Sequence, residues 1–171
     1  MKKVLVPLAP GFEEIETITV VDILRRSGAR VTVAGTREGV IEGSRGVKVV
    51  PDTLLDEAKA DDFDLIVLPG GQPGTDNLKE DPRIKKLLVD MNESGKTLAA
   101  ICAAPIVLEA AGVLKDRKRT SHPSVKEGLT GELYSEDRVV VDGNIVTSRG
   151  PGTAMEFALK LVELLFGKDR V

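Results

Sequence analysis

Among the 171 residues, one side chain can act as a soft nucleophile: Cys102, the only cysteine, in "TLAAICAAPIV". Two readings of it stand side by side. A lone cysteine is often a small buried hydrophobe and nothing more. Yet an apolar run, a cysteine and then a proline read as a strand giving way to a helix. A sharp junction of that kind presents its side chain to solvent, as a nucleophile elbow does. A helix N-terminus behind the sulfur would favour the thiolate. The N–H of Ala103 could then face a developing oxyanion, and Gly70 or Gly71 of "LIVLPGG" could add a second amide donor.

An acid or base is the next requirement, and "GFEEIET" supplies three carboxylates. Glu13 and Glu14 are accounted for by the preference of helix starts for negative charge. Glu16 sits about one turn past Phe12, so it can face inward. A carboxyl buried beside the cysteine would have a raised pKa and could donate a proton at neutral pH. His122, the only histidine, lies in "TSHP" and reads equally well as a loop or core residue. Arg45 ("GSRG") and Arg149 ("TSRGPG") sit among glycines, where a guanidinium can reach an anion. Surface ion pairing is their alternative. One cysteine and one histidine leave little from which to build a zinc site.

These residues need a scaffold, and the hydrophobic pattern suggests one. Strands are predicted in "KKVLVPLA", "ARVTVAG", "FDLIVLPGG" and "KTLAAI". A short strand is expected in "KRTSHPSVKEGL", with His122 near its end. "EEIETITVVDILRRSG" predicts a helix with Ile15, Ile18, Val21 and Leu24 on its apolar stripe and Gly28 as its stop. Further helices are predicted in "DPRIKKLLVDMNESG", "APIVLEAAG" and "GTAMEFALKLVELLFG". "VIEGSRGVKVVPD" reads as extended segments around a turn, and "DRVVVDGNIVTSRG" as a hairpin. Such alternation predicts an α/β fold with a doubly wound, mostly parallel sheet in one domain spanning residues 1–171. Ligands bind such sheets beyond the carboxyl ends of the strands, where Glu16, the diglycine and Cys102 all fall.

Composition narrows the function classes. A net charge of −3 argues against a nucleic-acid surface. No apolar stretch is long enough to span a bilayer, and "KKVLVPLA" is too short for a signal h-region, so a cytoplasmic chain is expected. A single cysteine forms no intrachain disulfide.

Taken together, "GFEEIET", "VVDILRRSGARVTVAG", "SRGVKVVPD", "LIVLPGG", "AAICAAP", "SHP" and "TSRGPGTAMEFAL" resemble the ThiJ/PfpI superfamily. Within it they are most similar to the DJ-1 branch, that of the parkinsonism-associated protein deglycase. The likeness runs from residue 2 to about residue 166. It implies a flavodoxin-like fold of the class I glutamine amidotransferase type, with helices on both faces and a small β-hairpin, and a homodimer. It also implies a reactive thiolate at Cys102, hydrogen-bonded by a protonated Glu16, with His122 nearby and oxyanion-binding amides from Gly71 and Ala103. Arg45 and Arg149 correspond to family arginines near the pocket and dimer interface, and Arg25 and Arg26 to a pair serving the dimer contact.

The implied activity is that of a glyoxalase/deglycase turning methylglyoxal or glyoxal into hydroxy acids without cofactor or metal, protecting against carbonyl and oxidative stress. A redox-sensing or chaperone-like protein, whose cysteine oxidises to sulfinate, is the alternative. A weak peptidase or esterase is a second. The protease branch has histidine directly after its nucleophile, whereas Ala103 stands there in this chain. The mammalian branch carries a further C-terminal helix over the cysteine; here the chain stops at Val171, which implies a more open pocket. Gly43 and Val50 replace two of the family's additional cysteines.

Overall fold

Each long strand is apolar on both faces, which suits the interior of a parallel sheet covered from both sides. The computed structural model describes residues 1–129 and 131–171. β1 (Lys3–Leu8) leads to α1 (Glu14–Arg26), then β2 (Arg30–Gly35), a hairpin of β3 (Ile41–Glu42) and β4 (Lys48–Val49), and β5 (Thr53–Leu54). β6 (Leu65–Leu68) is followed by α2 (Gly74–Glu80) and α3 (Pro82–Glu93). β7 (Thr97–Ile101) and α4 (Pro105–Ala110) come next. The chain then returns through β8 (Val139–Asp142), β9 (Ile145–Ser148) and α5 (Ala154–Phe166).

The seven-stranded sheet has the order β5-β2-β1-β6-β7-β9-β8, and only β8 is antiparallel to its neighbour. Alternate residues of β1 and β6 serve two cores. Leu5, Ile66 and Leu68 pack with α2, α3 and α4, while Val4, Val6, Leu65 and Val67 pack with α1 and α5. The chain runs outward from β1 through β2 to β5, then crosses back to place β6 on the other side of β1. The order therefore reverses between β1 and β6, and a crevice opens there at the strand ends. None of the described helices is long and apolar enough to cross a membrane.

Local sequence explains most boundaries. Asp81 caps α3 by accepting the Arg83 N–H, with Pro82 in the first turn. The β8–β9 hairpin turns through Gly143 and Asn144, with Asp142 already paired to Ile145. α2, which follows the diglycine, carries no strong sequence signal. Two expectations are corrected. The strand predicted around His122 does not form; only Arg119 makes an isolated bridge, to Tyr134. β9 occupies the place beside β7, and the segment's amides bond elsewhere. Thr120 N–H goes to Thr147 Oγ1 (2.9 Å) and His122 N–H to the Cys102 carbonyl (2.8 Å). On α1 the buried residues are Glu14, Glu16, Thr17, Val20, Val21 and Leu24, whereas Ile15 and Ile18 are exposed.

Candidate active site

Cys102 follows the last residue of β7 and has φ of 65°, a left-handed conformation that a β-carbon disfavours. Three hydrogen bonds enforce it. The Cys102 N–H donates to Ser148 O at the end of β9 (3.0 Å), its carbonyl accepts from His122 N–H (2.8 Å), and Ala104 N–H closes onto Ile101 O (3.0 Å). Backbone strain of this kind costs about 1–3 kcal/mol and persists only where the surroundings over-determine it. Its effect is to turn the half-buried thiol out of the sheet and over the crevice.

Glu16 reaches the same place from the first turn of α1. Glu13 caps that helix, its Oε2 accepting the Glu16 N–H at 2.7 Å. Glu16 is wholly buried, and neither carboxyl oxygen completes a hydrogen bond to another described nitrogen or oxygen. The polar groups acting on it are the Cys102 thiol and the Gly70 amide. Gly70 is the pivot between the two side chains. A β-carbon there would lie 2.7 Å from Cys102 Cβ, 2.9 Å from Ile101 O and 3.0 Å from Glu16 Oε1. At Gly71, φ is 90° and a β-carbon would sit 2.5 Å from Glu13 N, so the diglycine lets loops 10–13 and 69–74 touch. No hydrogen bond to a carbonyl engages the Gly71 or Ala103 N–H among the described residues.

Burial raises Glu16 to about 7; Cys102 and Gly70 pull against that shift, and the charge of Glu13 adds to it. With Glu16 ionised, the Cys102 thiol is pushed up to about 12, by burial first and then by the charge and hydrogen bond of Glu16, while the Ala103 N–H pulls it down. This corrects the expectation that a helix N-terminus behind the sulfur favours the thiolate. α4 begins only at Pro105, and burial beside a carboxylate outweighs it. The two acids titrate as a pair. Once Glu16 carries the proton its repulsion is gone, and a single negative charge can rest on sulfur facing the Ala103 N–H.

His122 is half-buried beyond Cys102, its Cδ2 3.7 Å from where a Gly150 β-carbon would be. Arg149 Nη1 lies 3.4 Å from Thr120 Oγ1 on the same side. Arg45 is exposed on the β3–β4 turn; its backbone N–H, not its guanidinium, meets Glu14 (2.8 Å). Arg25 and Arg26 are not brought to the cysteine. They lie about 14 Å of helix rise beyond Glu16, paired with Asp52 (2.8 Å) and Asp22 (2.7 Å).

Sequence reasoning missed two residues here. Glu14 reads as a helix-start charge, but it binds the hairpin turn through the amides of Arg45 and Val47 and the Ser44 hydroxyl. Its neighbour in the fold, Gly43, was the available signal, since any β-carbon there would press on the carboxylate. Ser124, two residues past His122, contacts that ring and had no signal beyond its spacing. A cavity of about 580 Å³ lies elsewhere, between residues 55–61 and α3, and takes no part in this arrangement. Among the described residues no group of three or more His, Cys, Asp or Glu side chains could hold a metal ion.

Comparison with known proteins places these features in a wider set. The model of the DJ-1/PfpI family matches residues 2–164. Protein dj-1beta of Drosophila melanogaster is 49% identical over 173 residues, covering 99% of this chain and 92% of the relative. A Caenorhabditis elegans relative named glutathione-independent glyoxalase DJR-1.2 is 43% identical, covering 99% of this chain and 91% of the relative. Among solved structures, Toxoplasma gondii DJ-1, described as oxidized, superposes with a TM-score of 0.96 at 40% identity, covering 99% of this chain and 94% of that one. This chain shares its flavodoxin-like fold with that structure.

Proposed function

The chain belongs to the DJ-1/PfpI family, and from that footing we propose that it is a cysteine-dependent, cofactor-independent glyoxalase/deglycase acting on small α-oxoaldehydes. One observation carries the reading: a left-handed Cys102 and a fully buried Glu16 converge across Gly70, with the Gly71 and Ala103 amides beside them. The name of the C. elegans relative supports the reaction class.

Methylglyoxal enters with its aldehyde carbon toward sulfur. The Glu16 carboxylate takes the thiol proton as sulfur attacks, a task suited to a group titrating near 7. The oxyanion faces the Gly71 and Ala103 N–H groups and then receives that proton, giving a hemithioacetal. Glu16 next removes the hydrogen from the former aldehyde carbon and returns it to the neighbouring carbon, while the hydroxyl proton on the first oxygen passes to the second. One carbon is oxidised as the other is reduced, so no external electron carrier takes part. The product is a thioester of the 2-hydroxy acid, and water releases lactate (glycolate from glyoxal) and the free thiol. Deglycation of amine or thiol adducts is the same chemistry on a masked aldehyde.

Lactate release from methylglyoxal by the purified protein is the test. Cys102→Ala is expected to lower it by about 10³-fold or more; equal rates in both proteins would remove the proposal.

A second reading rests on the half-buried sulfur beside a carboxyl donor and an amide. Such a thiol oxidises to a sulfinate that both groups can hold, and the Toxoplasma gondii structure is described as oxidized. Mild peroxide is expected to add about 32 Da, two oxygens, at Cys102 alone. Modification of methionines before Cys102 would argue against it.

A further inference from the structure

The backbone of His122 bonds to the Cys102 carbonyl, and the loop that follows fixes the tautomer of its ring. The residue ends an extended segment with ψ of 138° and caps the 3-10 turn Pro123–Gly128. Its backbone is pinned at one end by the bond to the Cys102 carbonyl and at the other by Pro123. The ring then folds over the start of the turn. Nδ1 lies 3.1 Å from the Ser124 backbone nitrogen and 2.7 Å from the Ser124 hydroxyl.

An amide N–H can only donate, so Nδ1 facing it must accept. The hydroxyl rotates to donate as well. With two donors on Nδ1, the ring proton of the neutral imidazole sits on Nε2. Protonating Nδ1 would orphan the amide and force the hydroxyl to reverse. The opposite edge of the ring, Cδ2 and the adjoining Nε2, lies on the Gly150 side.

We propose that Ser124 is a positioning residue that fixes His122 as the Nε2–H tautomer, making His122 a hydrogen-bond donor to the substrate rather than a base. This rests on the aldehyde reading above and divides the labour within it. Glu16 moves the protons, and His122 Nε2–H holds the oxygen of the carbonyl next to the one under attack. Donation to that oxygen eases removal of the hydrogen from the neighbouring carbon, because the charge that develops is delocalised onto it.

The chain contains one histidine, so its imidazole nitrogens can be observed without assignment ambiguity. Long-range proton–nitrogen correlation spectra of the 15N-labelled full chain, in buffer alkaline enough to keep an imidazole neutral, read the tautomer directly. Wild type is expected to show an acceptor-type Nδ1 and a protonated Nε2. Ser124→Ala loses the shorter of the two contacts, the 2.7 Å hydroxyl, and keeps only the exposed 3.1 Å amide, so both nitrogens are expected to shift partway toward a tautomer mixture. It should also lower kcat for methylglyoxal about 5- to 10-fold, the scale of one lost hydrogen bond, with a smaller change in KM. Ser124→Thr is expected to restore both. A wild-type spectrum showing protonated Nδ1, or a Ser124→Ala protein with unchanged spectrum and kcat, would overturn the proposal. If wild type made no lactate, the aldehyde reading would fail by itself, and the spectra would still decide whether Ser124 fixes the tautomer.

Discussion

Glu16 is where stability and chemistry pull in opposite directions. An unfolded glutamate loses its proton near 4.5, whereas the folded protein holds this one until about 7. Below 4.5 both states are protonated and burial carries no ionic penalty. Between 4.5 and 7 the folded state binds a proton that the unfolded state lacks, so stability falls as pH rises, and above 7 the whole penalty is present. The size is about 3 kcal/mol. Glu16→Gln keeps the shape and cannot ionise. Denaturant unfolding at about pH 5 and about pH 8 should therefore show the variant gaining on wild type at the higher pH, by up to that amount. The same substitution removes the proton acceptor for Cys102 and should lower kcat by about 10²–10⁴-fold. A variant that is both more stable at high pH and inactive is the signature of a group buried for its chemistry. Equal pH dependence in the two proteins would show that Glu16 is not held protonated.

At the scale of elements, the site depends on α1 being tied to the β3–β4 hairpin as well as to the sheet. Two-residue strands have little stability of their own. This pair is anchored by Glu14, which accepts from Arg45 N–H (2.8 Å), Val47 N–H (3.1 Å) and the Ser44 hydroxyl (3.3 Å). Burial pushes the Glu14 carboxyl up, but those amides and that hydroxyl outweigh it and hold it below its ordinary value. Glu14→Gln gives up charge-assisted bonds for neutral ones, at about 1–2 kcal/mol. Amide exchange at Arg45 and Val47 should accelerate while that of Leu98 and Ala100 in β7 stays unchanged; acceleration in both would mean global destabilisation instead. Sequence made the long elements legible, because strands buried on both faces and helices with proline or aspartate at their starts carry local signals. It left the hairpin's anchor and the inward face of α1 obscure. Period alone favoured Ile15 and Ile18 for burial, and the site overrides that preference by turning Glu16 inward. The elbow at Cys102 could be read from the strand–Cys–Ala–Ala–Pro succession. The contacts of Ser148, Ser124 and Glu14 could not, since they join segments distant in sequence or depend on a loop conformation with no pattern of its own.

On the scale of the whole molecule, the residues that α1 turns outward need an explanation. Ile15 is 55% exposed and Ile18 46%, and Val47 on the hairpin, bonded through its amide to Glu14, is 49% exposed. Large apolar side chains left exposed on a helix and on the hairpin bonded to it are candidates for an interaction face. A second copy of the chain is the occupant that the family resemblance implies, and it would press on the helix whose other face carries Glu16. Dimerisation would then stiffen the site from behind, by burying Ile15 and Ile18 without touching the substrate. Because Ile18 is exposed in the single chain, Ile18→Glu removes the apolar contact without opening a cavity, so the variant should fold. Sedimentation equilibrium should give wild type twice the 18.3 kDa chain mass and Ile18→Glu the single-chain mass. Activity in the variant should fall through kcat, as Glu16 loses its support, with its circular dichroism unchanged. Wild type sedimenting at 18.3 kDa would leave the face to a different partner. A dimeric Ile18→Glu protein would move the interface elsewhere on the molecule.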